Sequence, residues 1–146
     1  MIKRILSLIL LTAPFFVLGQ QEDKFECPIK KGKIIHEERG FHDGKRNPGA
    51  VFEGKNDYVY SCSSGLINSI DTTNNITKIH IESGIYFFSY YDLEKSFVKK
   101  GDVIKKGQLI GKVKKGKRLF LICSKNKELI EPESILKCKV ITRNLE

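Results

Sequence analysis

The 146-residue chain is poor in the groups that build metal sites. It has three histidines, His36, His42 and His80, and none stands at a usual ligand spacing from another. Its four cysteines include no Cys-x-x-Cys pair, which argues against a structural zinc site. No segment longer than a few residues carries a strong helical period, which argues against a helical bundle. The longest apolar run, from Ile5 to Leu18, falls short of the roughly 20 residues of a membrane-spanning helix. There is no arginine-rich helix and no stacking motif, so nucleic acid is a poor candidate partner. Acidic residues are scarce beside basic ones, 17 against 26, for a formal charge of +9.

What is present begins with a cationic start, Met1-Ile2-Lys3-Arg4, followed by that short apolar run and Val17-Leu18-Gly19 before a polar stretch. This is the layout of a secretory signal peptide over residues 1–19. It implies a secreted or periplasmic protein with no transmembrane segment after cleavage. Losing Lys3 and Arg4 leaves 24 basic residues against 17 acidic ones, a mature charge of +7. Such a charge suits an anionic envelope surface, although lysines simply solvated at turns account for it equally. In an exported domain, Cys27, Cys62, Cys123 and Cys138 suggest disulfides, and three full pairings are open. The preferred one joins the two ends, Cys27 to Cys138, and two internal strands, Cys62 to Cys123. Free buried thiols are the rival reading.

The unit aliphatic-Lys-Lys-Gly occurs at Val98, Ile104 and Val113, with a looser copy from Ile29. Each copy ends a short apolar segment at a turn whose glycine supplies a backbone angle that other residues reach only at a cost. Tyr58–Cys62, Leu66–Ile70, Ile76–Ile81, Ile85–Tyr91 and Leu119–Cys123 read as strands. In the third of these, Thr77, Ile79 and Ile81 alternate with Lys78, His80 and Glu82. Gly40–Gly54 reads as a long loop, Asp71–Asn75 as a turn, and Asp92–Ser96 as a loop or one helical turn. The expected architecture is a sandwich or partly open barrel of short antiparallel strands. It occupies residues 41–136, with an N-terminal segment at 20–40 and a tail at 137–146. Ser63-Ser64-Gly65 lacks a nucleophile-elbow context and reads as a hairpin turn. Asn75-Ile76-Thr77 matches a glycosylation acceptor by pattern only.

Read together, several pieces resemble the M23 (lysostaphin/LytM-type) peptidase domain. They are Asn47-Pro48-Gly49, Tyr58-Val59-Tyr60 running to Gly65, Ile79 to Gly84, Tyr90-Tyr91-Asp92-Leu93, Val98 to Gly111, Leu119 to Ile122 and Glu131-Pro132. They cover most of residues 28–136 in the family's order. The resemblance implies a β-rich duplicated hybrid motif and, in active members, a zinc endopeptidase acting on bacterial cell wall. In that family a His-x-x-x-Asp element and the second His of a His-x-His strand hold zinc. The first His of that strand and a Tyr-x-His-Leu histidine assist the attacking water.

Carried onto this chain, the resemblance puts those five positions at Asn47, Val51, Arg118, Phe120 and Asp92. None keeps the family's residue, so the chain looks like a degenerate member without metal or cofactor. It is then expected to be a pseudo-enzyme that binds a cell-envelope glycopeptide or a partner protein such as a cell-wall hydrolase. The alternative is an active zinc peptidase with shifted ligands, perhaps His42, Asp43 and His80. A β-domain unrelated to the family is the blandest option.

Overall fold

The computed structural model describes residues 25–36, 41–42, 45–46 and 48–142. The expected leader over 1–19 lies outside them. Among the described residues there is no α-helix, and a short 3-10 turn at Pro132–Ser134 is buried only at Pro132. No helix there is long and apolar enough to cross a membrane.

The strands, in chain order, are β1 (Lys33–Ile35), β2 (Phe41–His42), β3 (Lys45–Arg46), β4 (Ala50–Glu53), β5 (Tyr58–Tyr60), β6 (Gly65–Thr73) and β7 (Ile76–Ser83). There follow β8 (Tyr86–Ser96), β9 (Val103–Ile104), β10 (Leu109–Val113), β11 (Leu119–Lys125), β12 (Glu128–Ile130) and β13 (Lys139–Ile141). One open sheet runs in the order β13-β1-β4-β11-β8-β7-β6-β9. β10 joins it beside β8 and carries β5, and β12 pairs with β11. Every pairing is antiparallel except β1 with β13. The β2–β3 hairpin stands apart.

Tight turns set this register. Asn74 and Asn75 both take positive φ, 52° and 60°, between the paired Thr73 and Ile76. Asn126 and Lys127 do the same, at 51° and 65°, between Lys125 and Glu128. Two successive left-handed residues give a turn whose twist matches the strands it joins. The Lys-Lys-Gly turns work differently. Gly101, Gly107 and Gly116 have φ of 90°, 82° and 76°, with nothing within 4 Å of where a Cβ would stand. Glycine is needed there for its backbone angle, not for space, as at the third position of a type II turn. The residue after the glycine caps two of these turns. Asp102 Oδ2 accepts the Lys99 N–H at 2.8 Å, and Gln108 Oε1 accepts the Lys105 N–H at 3.1 Å.

Three strand assignments differ from expectation. Residues 50–53, expected within a loop, form β4, because Ala50 and Phe52 are fully buried between β1 and β11. Asp92–Ser96 is neither loop nor helical turn but the end of the 11-residue β8. Asp71, Thr72 and Thr73 extend β6, leaving only Asn74 and Asn75 as the turn. β1 and β13 hydrogen-bond to each other, and β1 to β4.

A disulfide joins Cys27 to Cys138 across 111 residues of sequence, with 5.2 Å between their Cα atoms. Closing a loop of that length stabilises the fold by about 4–5 kcal/mol on a chain-entropy account. The expected Cys62–Cys123 bridge is not formed; both are free and buried. Cys123 sits on the core side of β11, and Cys62 follows β5 with its N–H donating to the Tyr90 hydroxyl at 2.8 Å. Burial pushes the Cys62 thiol up to about 12 and the Cys123 thiol well above its ordinary value. Both sulfurs are therefore protonated, and they behave as small apolar core groups.

Candidate functional site

Strand alternation divides the central sheet into two faces. Ala50 and Phe52 of β4, Leu119 and Leu121 of β11, Phe88 and Tyr90 of β8, and Ile79 and Ile81 of β7 are buried inward. Their neighbours along each strand face outward. Val51 of β4 is opposite Phe120 of β11, and Phe120 is opposite Tyr91 of β8. The Tyr91 and Phe120 rings lie 5.7 Å apart, tilted at 54°. Lys78 of β7 places its Nζ 5.3 Å over the Tyr91 ring. A Cβ on Gly49 would collide with the Phe120 ring and come 3.0 Å from the Leu121 carbonyl oxygen. Glycine at 49 thus leaves room for an aromatic ring beside Val51.

The next row along the same face centres on His80. Its Nδ1 is 2.9 Å from Ser89 Oγ on β8, and its Nε2 is 3.6 Å from Asp71 Oδ2 on β6. The imidazole stacks on Phe87 at 5.7 Å and meets Tyr91 edge-on at 6.2 Å. Burial lowers the His80 pKa and Lys78 adds to the lowering; Asp71 pulls it up without reversing the shift. His80 is therefore neutral near pH 7, one nitrogen donating and the other accepting. The trio resembles an acid–base–nucleophile set only on paper. Ser89 is 7% exposed and paired on both sides, with Ile122 and with His80. A strand clamped between two ladders has no spare N–H donors with which to stabilise an oxyanion.

A bulge shapes the end of this face. Thr77 pairs with Leu93 and Ile79 with Tyr90, so Tyr91 and Asp92 together stand opposite the single residue Lys78. Asp92 adopts φ of 65°. The extra residue resets the alternation, so that Tyr90 and Leu93, three apart, both point into the core. Asp92 and Arg118 line a cavity of about 820 Å³ beside Asn74, Asn75, Lys114 and Lys117. Arg118 also reaches Glu53, 3.5 Å away.

The five sequence-derived positions are thus placed in part. Val51 and Phe120 are brought together, Asp92 and Arg118 share the neighbouring cavity, and Asn47 lies outside the described residues. The shifted-ligand set is not assembled by what is described: Asp43 and the His42 side chain lie outside, and His80 is held by Ser89 and Asp71. Among the described residues no three His, Cys, Asp or Glu side chains are grouped to hold a metal ion. Zinc does not fit where Val51 and Phe120 stand, because neither side chain carries a donor atom. Nothing in the sequence marks Ser89 and Asp71 as partners of His80. Alternation alone places His80 outward, but its partners depend on cross-strand register.

No family model matches the chain, and no curated protein matches it by sequence. Solved structures do match. A chain of the SpoIIQ–SpoIIIAH pore forming complex superposes with a TM-score of 0.63 at 16% identity, over 79% of this chain and 92% of that one. A zinc containing peptidase from Vibrio cholerae gives 0.59 at 21% identity, over 76% of this chain and 40% of that one. The catalytic domain of the prophage-encoded M23 protein EnpA from Enterococcus faecalis gives 0.53 at 19% identity, over 64% and 81%. At these identities the likeness is one of architecture: the chain has the fold of M23 peptidase domains.

Proposed function

We propose that this is an exported, non-catalytic M23-like module whose outward sheet face binds a cell-envelope glycopeptide or a partner protein. One observation carries the reading. At two of the positions where the family resemblance expects zinc ligands, Val51 and Phe120 pack side by side, with Gly49 making room for the ring. Hydrocarbon there removes the Lewis acid on which the peptidase reaction depends. What remains is a row of partly buried aromatic and polar side chains, Phe120, Tyr91, His80 and Phe87, of the kind that serve as binding anchors. The cationic, apolar opening and the Cys27–Cys138 bridge support export. The fold shared with a chain of the SpoIIQ–SpoIIIAH complex makes a protein partner a fair analogy.

The test is a metal and retention assay on the purified protein. It should carry no stoichiometric zinc and be retained on isolated peptidoglycan sacculi. Replacing Tyr91→Ala and Phe120→Asp together should weaken retention roughly tenfold or more. Near-stoichiometric zinc, removable by chelator with loss of a peptidoglycan-cutting activity, would overturn the reading.

A further inference from the structure

Two of the Lys-Lys-Gly turns, at Gly101 and Gly107, flank β9, while the third, at Gly116, borders the Asp92 and Arg118 cavity. Val59 is buried, so Tyr58 and Tyr60 share the opposite side of β5. Leu109 of β10 stands beside Tyr60, and Lys112 beside Tyr58. The Phe97 N–H donates to the Ile110 carbonyl at 2.8 Å, and the Phe97 ring lies 6.5 Å from that of Tyr58. Tyr58, Phe97 and Leu109 are 46%, 41% and 37% exposed, so three large apolar side chains meet solvent on one patch.

Lysines rim this patch. Lys30 places its Nζ 4.5 Å over the Tyr60 ring, and Lys95 places its Nζ 5.7 Å over the Phe97 ring. Residues 94–113 hold six lysines against two acids, Glu94 and Asp102. Glu94 pairs with Lys112 at 3.5 Å, and Asp102 accepts the Lys99 N–H of its own turn. Lys99, Lys100, Lys105 and Lys106 remain exposed on turns at either end of β9.

We propose that this aromatic and lysine surface seats the protein on an anionic lipid bilayer. Rings with a polar tip settle at the headgroup level, while lysine stems lie along apolar surface with their ammonium groups among lipid phosphates. The cations Lys99 and Lys100 stand on one turn, and Lys105 and Lys106 on another, at the two ends of β9. That suits a continuous sheet of anionic headgroups better than a single small anion. The patch includes neither Tyr91 nor Phe120, so the inference does not rest on the cleft reading.

Co-sedimentation of the full chain with lipid vesicles tests it. Binding to phosphatidylcholine mixed with phosphatidylglycerol should exceed binding to phosphatidylcholine alone by about tenfold or more and weaken as salt is raised. Phe97→Ser with Leu109→Ser should lower partitioning roughly tenfold, each buried apolar group adding to affinity. Lys95→Gln with Lys99→Gln and Lys100→Gln should lower it at least as much and flatten the salt dependence. A retained leader contributes equally to every variant, so the differences report the patch. Ile85→Ser with Leu129→Ser, exposed apolar residues elsewhere, should change nothing. Equal binding by wild type and the Phe97 and Leu109 variant, with an unchanged melting curve, overturns the proposal. So does an equal loss in the Ile85 and Leu129 control. If the apolar variant unfolds, the lysine variants alone decide, and an unaltered affinity in them overturns the proposal too.

Discussion

The two faces of the central sheet are made by the same strands and share the same ladder, yet they obey different rules. On the inward face of β8, Phe88 and Tyr90 are fully buried, and the one polar atom there that needs a partner, the Tyr90 hydroxyl, receives the Cys62 N–H. On the outward face of the same strand, Phe87, Ser89 and Tyr91 mix apolar, polar and aromatic groups around a neutral histidine. The inward face is what the fold needs to exist. The outward face holds hydrocarbon at Val51 and Phe120, two positions where the family resemblance implies zinc ligands. Core side chains and the side chains of the proposed binding face therefore lie one residue apart along each strand.

The two faces should differ most at adjacent phenylalanines. Phe88→Ala should cost about 3–5 kcal/mol in denaturant unfolding, as a cavity opened in a close-packed core. Phe87→Ala, one residue away, should cost about 1 kcal/mol. Equal losses would mean that the outward face is core too. Next comes Tyr90→Phe, which leaves the Cys62 N–H buried without its acceptor and should cost about 1–3 kcal/mol. Gly49→Ala should cost about 1–2 kcal/mol by forcing the Phe120 ring aside. In a double-mutant cycle with Phe120→Ala, most of that cost should vanish, because the collision is removed. Additive losses would show that the ring is not what confines residue 49.

The smallest effect concerns pH. The folded His80 pKa lies below its unfolded value near 6.5. The unfolded chain therefore takes up this proton first as pH falls. The His80 contribution to stability is complete above about pH 6.5 and is lost as pH drops through that value towards the folded pKa. Melting temperatures of wild type and His80→Asn, compared from neutral pH downward, should converge below pH 6.5. A wild-type advantage that grows on acidification would mean that attraction to Asp71 outweighs burial.

Much of the architecture was legible because it rests on local chemistry. The Lys-Lys-Gly turns, the alternation from Thr77 to Glu82 and the shortage of helical periods are properties of short windows. The errors arose where distant residues decide. Asp92–Ser96 reads as polar and irregular, yet β10 pairs with it along one edge and β7 continues its ladder along the other. The bulge at Asp92 hides the alternation that would have marked it as strand. Cys62 and Cys123 were plausible partners by number and compartment, but a pairing preference carries no information about side-chain geometry.

By itself the sequence determined an all-β chain of punctuated strands, an M23-like order of motifs, and side chains without donor atoms at Val51 and Phe120. Those follow from residue type and near-neighbour spacing, which act over a few bonds. Only the tertiary structure decided that Phe120 lies against Gly49 and beside Tyr91, that His80 sits between Asp71 and Ser89, and that Tyr58, Phe97 and Leu109 form one surface. These contacts join separate strands, so strand order and register create them, and register is settled by burying one face of the whole sheet at once.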